Sequence, residues 1–190
     1  GKTLVLVGFR HIGQEIARRA RAFGMRVVAV TRSGRAATEG PAFGLADETV
    51  AVAELASVLP RAQALVLCCP LDDSTRGLIG ARQLALMPPG ALLVNVARAE
   101  VVDEEALYHA LTGGQLGRAA LDVWYSYPKA GQTPAPPSRW PLHELPNVRG
   151  TPHISAITPA LLERRYAFIA HNTMRVAQGL EPENVIYRSR

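Results

Sequence analysis

Apolar residues gather in five short, continuous runs: Leu4–Val7, Val27–Val30, Ala64–Cys68, Leu92–Val96 and Ala119–Val123. Runs that do not alternate are what strands need when both faces of their sheet are covered. Between them the apolar spacing lengthens to that of a helix, over Ile12–Phe23, Val52–Leu59, Ala81–Met87 and Asp103–Leu111. Strand and helix in strict turn predict an α/β fold, a doubly wound parallel sheet with helices on both faces. From Tyr127 to Pro146 proline and polar residues break the pattern and predict a long ordered loop; a short segment, Asn147–Gly150, follows. Last comes an amphipathic helix, Pro159–Gln178, with Leu162, Tyr166, Ile169 and Val176 roughly along one side. The predicted division is therefore one domain over residues 1–158 and a C-terminal helix with its tail over 159–190.

Composition narrows the setting. With 190 residues, 48% of them hydrophobic, the chain is long enough for one well-cored domain. No run approaches the ~18 apolar residues that span a bilayer, and no signal peptide is visible. The chain opens at Gly1 almost inside a strand, as a piece of a longer protein would. Cys68 and Cys69 are adjacent on a strand, so their side chains point to opposite faces; a mutual disulfide is not expected, and a reducing cytoplasm fits. They are read as neither a redox pair nor a metal pair. The net charge of +5 comes mostly from arginines on helices, such as Arg18, Arg19, Arg21, Arg164 and Arg165. No basic tract with interleaved aromatics points to nucleic acid, and solvated helix faces account for the charge.

The first candidate chemistry lies between the first strand and helix. Gly8-Phe9-Arg10-His11-Ile12-Gly13 follows Val7 and opens the helix, the arrangement that holds a dinucleotide pyrophosphate on backbone N–H groups in a Rossmann-type domain. Gly8 allows the tight turn and Gly13 the close packing of helix on sheet. The middle glycine of the pattern is replaced by Arg10, whose stem could push a cofactor outward and whose charge could partly compensate. A structural turn that binds nothing is the alternative. The second candidate is the tip of the second strand, Thr31-Arg32-Ser33-Gly34-Arg35. An acidic residue at such a tip takes the ribose 2′-hydroxyl and repels a 2′-phosphate. Here there is none; Arg32, Arg35, Thr31 and Ser33 suit a phosphate dianion, favouring NADP with NAD possible. A surface loop with two solvated arginines is the plainer alternative.

Four further segments, LVLCCPLDDSTRGLIG, LLVNVARAEVVDEEAL, AALDVW and NVRGTPHIS, come in the order and spacing of D-isomer-specific 2-hydroxyacid dehydrogenases. The chain resembles that family over essentially its whole length, as the coenzyme-binding domain plus the C-terminal helix that returns to the substrate domain; the N-terminal substrate domain is absent from the sequence. The DVW…TPHIS section is particularly similar to NAD-dependent formate dehydrogenases, with their longer loop before the histidine. The resemblance implies that Arg98 grips the carboxylate and carbonyl of a small 2-oxo acid, and that His153 is the acid–base group. It also implies that His11 and Ile12 lie at the phosphate turn and Pro70 and Thr75 flank the nicotinamide ribose. Val96 and Ala97 would pass beneath the cofactor, and Asp122 would meet the carboxamide or else cap its strand-end loop. Ser155, in the same TPHIS segment, is counted with the cofactor-binding residues. Pairing of two copies through this domain, a homodimer, follows from the family habit. Asp103, Glu104 and Glu105 open a helix, where negative charge is simply stabilising.

One departure bears on the chemistry. Family members carry Glu five positions after the aspartate of LDV, and formate dehydrogenases carry Gln; counting from Asp122, this chain has Tyr127. A carboxylate there would hold one tautomer of the histidine and favour its charged form. A phenol can orient the ring but brings no charge at neutral pH, so reduction is expected to have a more acidic optimum than in a glutamate-bearing relative. Hydride transfer between a nicotinamide cofactor and a small 2-hydroxy or 2-oxo acid is the expected activity, with this piece alone inactive because one wall of the cleft is missing. A non-catalytic dinucleotide sensor or a dimerisation scaffold on the same fold is the alternative, since Arg10 and Tyr127 each remove a standard part.

Overall fold

The structure, a computed structural model, describes residues 1–35, 40, 42–128 and 135–185. The middle of the predicted 127–146 loop and the last five residues of the predicted tail lie outside the described residues. Among the described residues twelve strands and α-helices follow in order: β1 (Thr3–Val7), α1 (His11–Ala22), β2 (Arg26–Thr31), β3 (Glu48–Ala51), α2 (Leu55–Val58), β4 (Ala64–Leu67), α3 (Ala81–Leu86), β5 (Ala91–Asn95), α4 (Glu104–Thr112), β6 (Leu116–Leu121), β7 (Val148–Gly150) and α5 (Pro159–Ala177). The strands form one sheet in the order β3-β2-β1-β4-β5-β6-β7. Every pairing in it is parallel.

Alternate residues of the apolar runs explain the two-sided burial. Val5, Val7, Val28, Val30, Leu65, Leu67 and Leu93 face one core with Leu84 of α3 and Leu107 and Leu111 of α4. Leu4, Leu6, Val27 and Val66 face the other, against Ala17 and Ala20 of α1. Two strands were not among the apolar runs. β3 is four half-buried residues at the sheet edge, Glu48 to Ala51, and β7 is three residues of which only Val148 is buried. The predicted helix over Val52–Leu59 is instead a single α-turn, α2, between two 3₁₀ turns.

Register is what builds a site from this sheet. Val50, Val30, Val7, Leu67, Asn95, Leu121 and Gly150 pair across it as one continuous row. The strands end at this row or, for β2 and β3, one residue past it, on the same carboxyl edge, where ligands of open α/β sheets bind. Chain contacts divide the molecule into two compact units, Gly1–His153 and Ile154–Arg190. The second holds α5, none of whose residues is buried; Leu162, Tyr166, Ile169 and Val176 are all exposed. Beyond the helix, Glu183 returns to it through His171 and Asn172, and Leu180 N–H donates to Arg175 O. Among the described residues no helix is long and apolar enough to cross a membrane.

Candidate active site

Gly8 leaves β1 with φ +98°, in the region that favours glycine, and its N–H donates to Val30 O at 3.0 Å. A Cβ on Gly8 would stand 2.8 Å from the backbone of Cys68 and Cys69, so β1 and β4 could not close around it. Gly13 meets a different limit: its Cβ would stand 2.3 Å from Gly8 O. The helix thus starts against the turn itself. Arg10 sits at the N-cap of α1 with φ −90° and ψ −156°, extended backbone that any residue adopts. The arginine therefore costs the turn no backbone strain. Among the described residues no side chain caps α1, and its first turn holds no acid, which leaves its N-terminal N–H groups and partial positive charge to a ligand.

Beside this turn opens a cleft of about 580 Å³, lined by Gly8, Phe9 and Arg10 from the turn after β1, Thr31 and Arg32 at the end of β2, and Cys69, Pro70, Asp72, Ser74 and Thr75 from the loop after β4. His11, Ile12 and Gly13 lie just behind it in the first turn of α1, with Ile12 exposed. At the β2 tip Thr31 Oγ1 accepts Gly34 N–H at 3.0 Å and Ser33 Oγ accepts Arg35 N–H at 3.4 Å. Gly34 packs on β3, since a Cβ there would lie 2.7 Å from Ala51 N. Arg32 reaches across the cleft to Asp72, Nη2 to Oδ2 2.8 Å. Thr75 is buried and structural in its contacts: its hydroxyl donates to Pro70 O at 2.8 Å and accepts Asp72 N–H at 2.8 Å. Anion-binding N–H groups, guanidiniums and an apolar floor on one sheet edge fit a dinucleotide.

Further along the edge, Asn95 is buried and spans the β5 tip. Its Oδ1 accepts Ala97 N–H at 3.0 Å and its Nδ2 donates to Arg98 O at 2.9 Å, fixing Val96, Ala97 and Arg98. Arg98 is exposed, its Nη1 donating to Ala97 O at 2.7 Å. After β6, buried Asp122 accepts the Thr151 hydroxyl at 2.6 Å, so this carboxylate ties the β6 tip to the β7 tip. Trp124 secures the same junction: its Nε1 donates to Thr151 O at 2.8 Å, and its ring takes the space a Cβ on Gly150 would need.

Tyr127 and His153, 26 residues apart, meet here, with Oη 3.1 Å from Nδ1. Tyr127 Oη also accepts Trp124 N–H at 3.0 Å. The hydroxyl can donate to Nδ1 or accept from Nδ1–H, according to the tautomer and charge of the imidazole. His153 has φ +58°, one of two non-glycine residues in the left-handed region among those described. Ser155 belongs to the second unit. Asp103 caps α4 by accepting Ala106 N–H at 2.8 Å, and Glu104 accepts the N–H groups of Arg139 and Trp140, holding the loop before β7.

Sequence reasoning missed Asp72, Asn95 and Thr151. Asp72 carried a signal, since Asp-Asp-Ser-Thr after a strand is turn chemistry, but its partner Arg32 is 40 residues away. Cys68 and Cys69 are free, and burial pushes the Cys68 thiol up to about 12.

Residues 1–155 match the NAD-binding domain of the D-isomer-specific 2-hydroxyacid dehydrogenases. A glyoxylate reductase from Thermococcus gammatolerans is 37% identical over 98% of this chain and 52% of its own. Among solved structures, D-lactate dehydrogenase with NAD+ from Lactobacillus jensenii superposes with a TM-score of 0.80 at 30% identity, over 98% of this chain and 56% of its own. A D-isomer-specific 2-hydroxyacid dehydrogenase from Xanthobacter autotrophicus, in complex with NADPH and MES, gives a TM-score of 0.77 at 29% identity, over 98% of this chain and 71% of its own. The chain spans about half the length of the curated relatives it matches, or less. The glycine turn, the single sheet edge and these likenesses agree: the chain belongs to the D-isomer-specific 2-hydroxyacid dehydrogenase family, as its NAD-binding domain.

Proposed function

We propose that the chain is the coenzyme-binding part of an oxidoreductase that reduces a small 2-oxo acid to the D-2-hydroxy acid, and that it prefers NADP to NAD. In this reading residues 1–158 bind the coenzyme and 159–190 belong with a substrate domain. The contact between Tyr127 and His153, on the sheet edge that also carries Arg98, is the observation that carries the reading. When bound, the cofactor supplies hydride to the carbonyl carbon. Arg98 pairs with the substrate carboxylate through a planar, permanently charged fork and polarises the carbonyl. His153, as the imidazolium, gives its Nε2 proton to the carbonyl oxygen as that oxygen gains charge and is left as neutral imidazole. Tyr127 holds the ring by Nδ1, the task a carboxylate has in other members. Val96 and Ala97 would pass beneath the cofactor and Asp122 would meet the nicotinamide carboxamide, with Ser155 also counted among the cofactor-binding residues.

Arg10 serves the pyrophosphate as a cation beside the α1 N-terminus, with His11, Ile12, Gly8 and Gly13 shaping the turn. Arg32 and Arg35, with Thr31 and Ser33, favour a 2′-phosphate, and Pro70 and Thr75 bound the cleft opposite. A cytoplasmic setting suits two reduced thiols, and we expect a homodimer paired through this domain, with neither nucleic acid nor membrane as partner. Calorimetric titration of the chain with NADPH and NADH tests the reading: NADPH should bind tighter, and Arg32→Ala should remove the difference. Equal binding of both would sink the NADP preference. A scaffold that binds coenzyme without chemistry is the second reading, favoured by the departures at Arg10 and Tyr127. It is excluded if the enzyme carrying this domain reduces glyoxylate, hydroxypyruvate or pyruvate and loses that activity with Arg98→Ala.

A further inference from the structure

Three features of the cleft stand together. Arg32 and Asp72 occupy opposite rims, at the β2 tip and in the turn after β4, with the glycine turn of β1 between them. Their side chains meet at 2.8 Å. Among the described residues that line the cleft, Asp72 is the only acid. We propose that Asp72 is a coenzyme-specificity residue, a carboxylate that competes with a ribose 2′-phosphate for Arg32 and so limits the preference for NADP. The proposal rests on the NADP reading above.

The two partners are held very differently. Arg32 is 81% exposed on a long stem. Asp72 is fixed: its Oδ1 accepts both the N–H of Ser74, at 2.9 Å, and the Ser74 hydroxyl, while its own N–H donates to Thr75 Oγ1. These bonds, Ser74's hydroxyl first, and the charge of Arg32 hold its carboxyl below the usual carboxylate range. A 2′-phosphate arriving at the β2 tip must draw Arg32 off this fixed anion and then lie near it. A ribose with a free 2′-hydroxyl meets no such opposition, and its hydroxyl can donate to the oxygen that Arg32 leaves. The carboxylate missing from the end of β2 is thus supplied by a turn 40 residues further on. Its effect is gentler than that of a β2-tip acid, because Arg32 partly neutralises it.

Asp72→Asn separates charge from structure, since the amide oxygen can still accept both bonds from Ser74. Adenosine 2′,5′-bisphosphate, 5′-AMP, NADPH and NADH are titrated calorimetrically into the chain and the variant at low and high salt. The variant should bind the two 2′-phosphorylated probes about three- to tenfold tighter, with the other two changed by less than about twofold, as fits a solvent-screened charge. The gain should shrink at high salt and largely vanish in an Arg32→Ala background. An unchanged ratio of phosphorylated to unphosphorylated probes overturns the proposal. Weaker binding of the phosphorylated probes also overturns it, and would make Asp72 the residue that presents Arg32 to phosphate. If the unsubstituted chain binds NADH at least as tightly as NADPH, the NADP reading fails, yet a shift of the ratio in Asp72→Asn still sustains the role of Asp72. If no probe binds either protein, both ideas fall.

Discussion

Gly8 and Gly13 cannot be exchanged for alanine on different grounds. At Gly8 a Cβ combines a φ of +98° with contacts of 2.8 Å to strand backbone. At Gly13 the helix is regular and only the 2.3 Å approach to Gly8 O forbids it. Either change should destabilise the fold by about 1–3 kcal/mol, read by denaturant unfolding, as strain and overpacking usually do. Arg10→Gly is the contrasting case. The backbone there is relaxed, so stability should fall by no more than about 1 kcal/mol, from added chain entropy, while calorimetry should show weaker NADPH binding. An unaltered affinity would mean the guanidinium does not serve the pyrophosphate. At Tyr127 the test is kinetic. Tyr127→Glu, in the enzyme carrying this domain, places an anion beside the imidazole, keeps it charged to higher pH and should move the pH–rate profile of reduction to the alkaline side. Such residues divide by what a sequence can say. Gly8 and Gly13 were legible because the motif encodes a shape, whereas the harmlessness of Arg10 depends on a φ that no sequence displays.

Between elements, Asp47 is the tie that joins α1, β2 and β3. Its Oδ2 accepts Val27 N–H at 2.7 Å at the start of β2, and its Oδ1 accepts Arg21 Nη1 at 2.7 Å from the end of α1. The Val27 N–H, followed by Arg21, holds the Asp47 carboxyl below the usual range. A depressed folded value means the stabilisation is whole above the ordinary aspartate range near pH ~4 and is lost as pH falls through the folded value. Asp47→Ala should cost about 1–3 kcal/mol at neutral pH by leaving a buried N–H without its partner. In unfolding curves run at successively lower pH, that gap should close; a gap independent of pH would show that the carboxylate's charge is not what matters. The elements themselves were legible wherever burial is two-sided, since continuous apolar runs mark β1, β2, β4 and β5 directly. β3 escaped because an edge strand half-buried at every residue has no such run. Residues 52–59 escaped because two 3₁₀ turns keep a helix-like spacing without forming one helix.

For the molecule as a whole, the seven-residue row from Val50 to Gly150 turns separate stretches of sequence into one working edge. Motif order announced this edge, but not which side chains meet on it: Arg32 finds Asp72, Asp122 finds Thr151, and Tyr127 finds His153. Long-range pairs of this kind follow from register, which is fixed only when every strand is in place. Both hydrophobic cores lie within the first compact unit, and α5 buries nothing. A chain ending at His153 should therefore unfold in the same cooperative transition, with a midpoint within about 2 °C of the longer chain by calorimetry. A larger drop would mean that residues beyond 153 contribute to the stability of the sheet.

The crowding at the glycine turn also sets a clock. Cys68 Sγ donates to Gly8 O at 3.0 Å, and burial keeps the thiol protonated far beyond neutral pH. A partly buried thiol in that state alkylates slowly, and with reagent in enough excess that labelling outpaces reclosing, each modification of Cys68 counts one escape of β4 from the turn. Measured against time, the labelling rate of this sulfur gives the frequency with which the anion-binding corner comes apart, and a bound dinucleotide should lengthen the interval between openings.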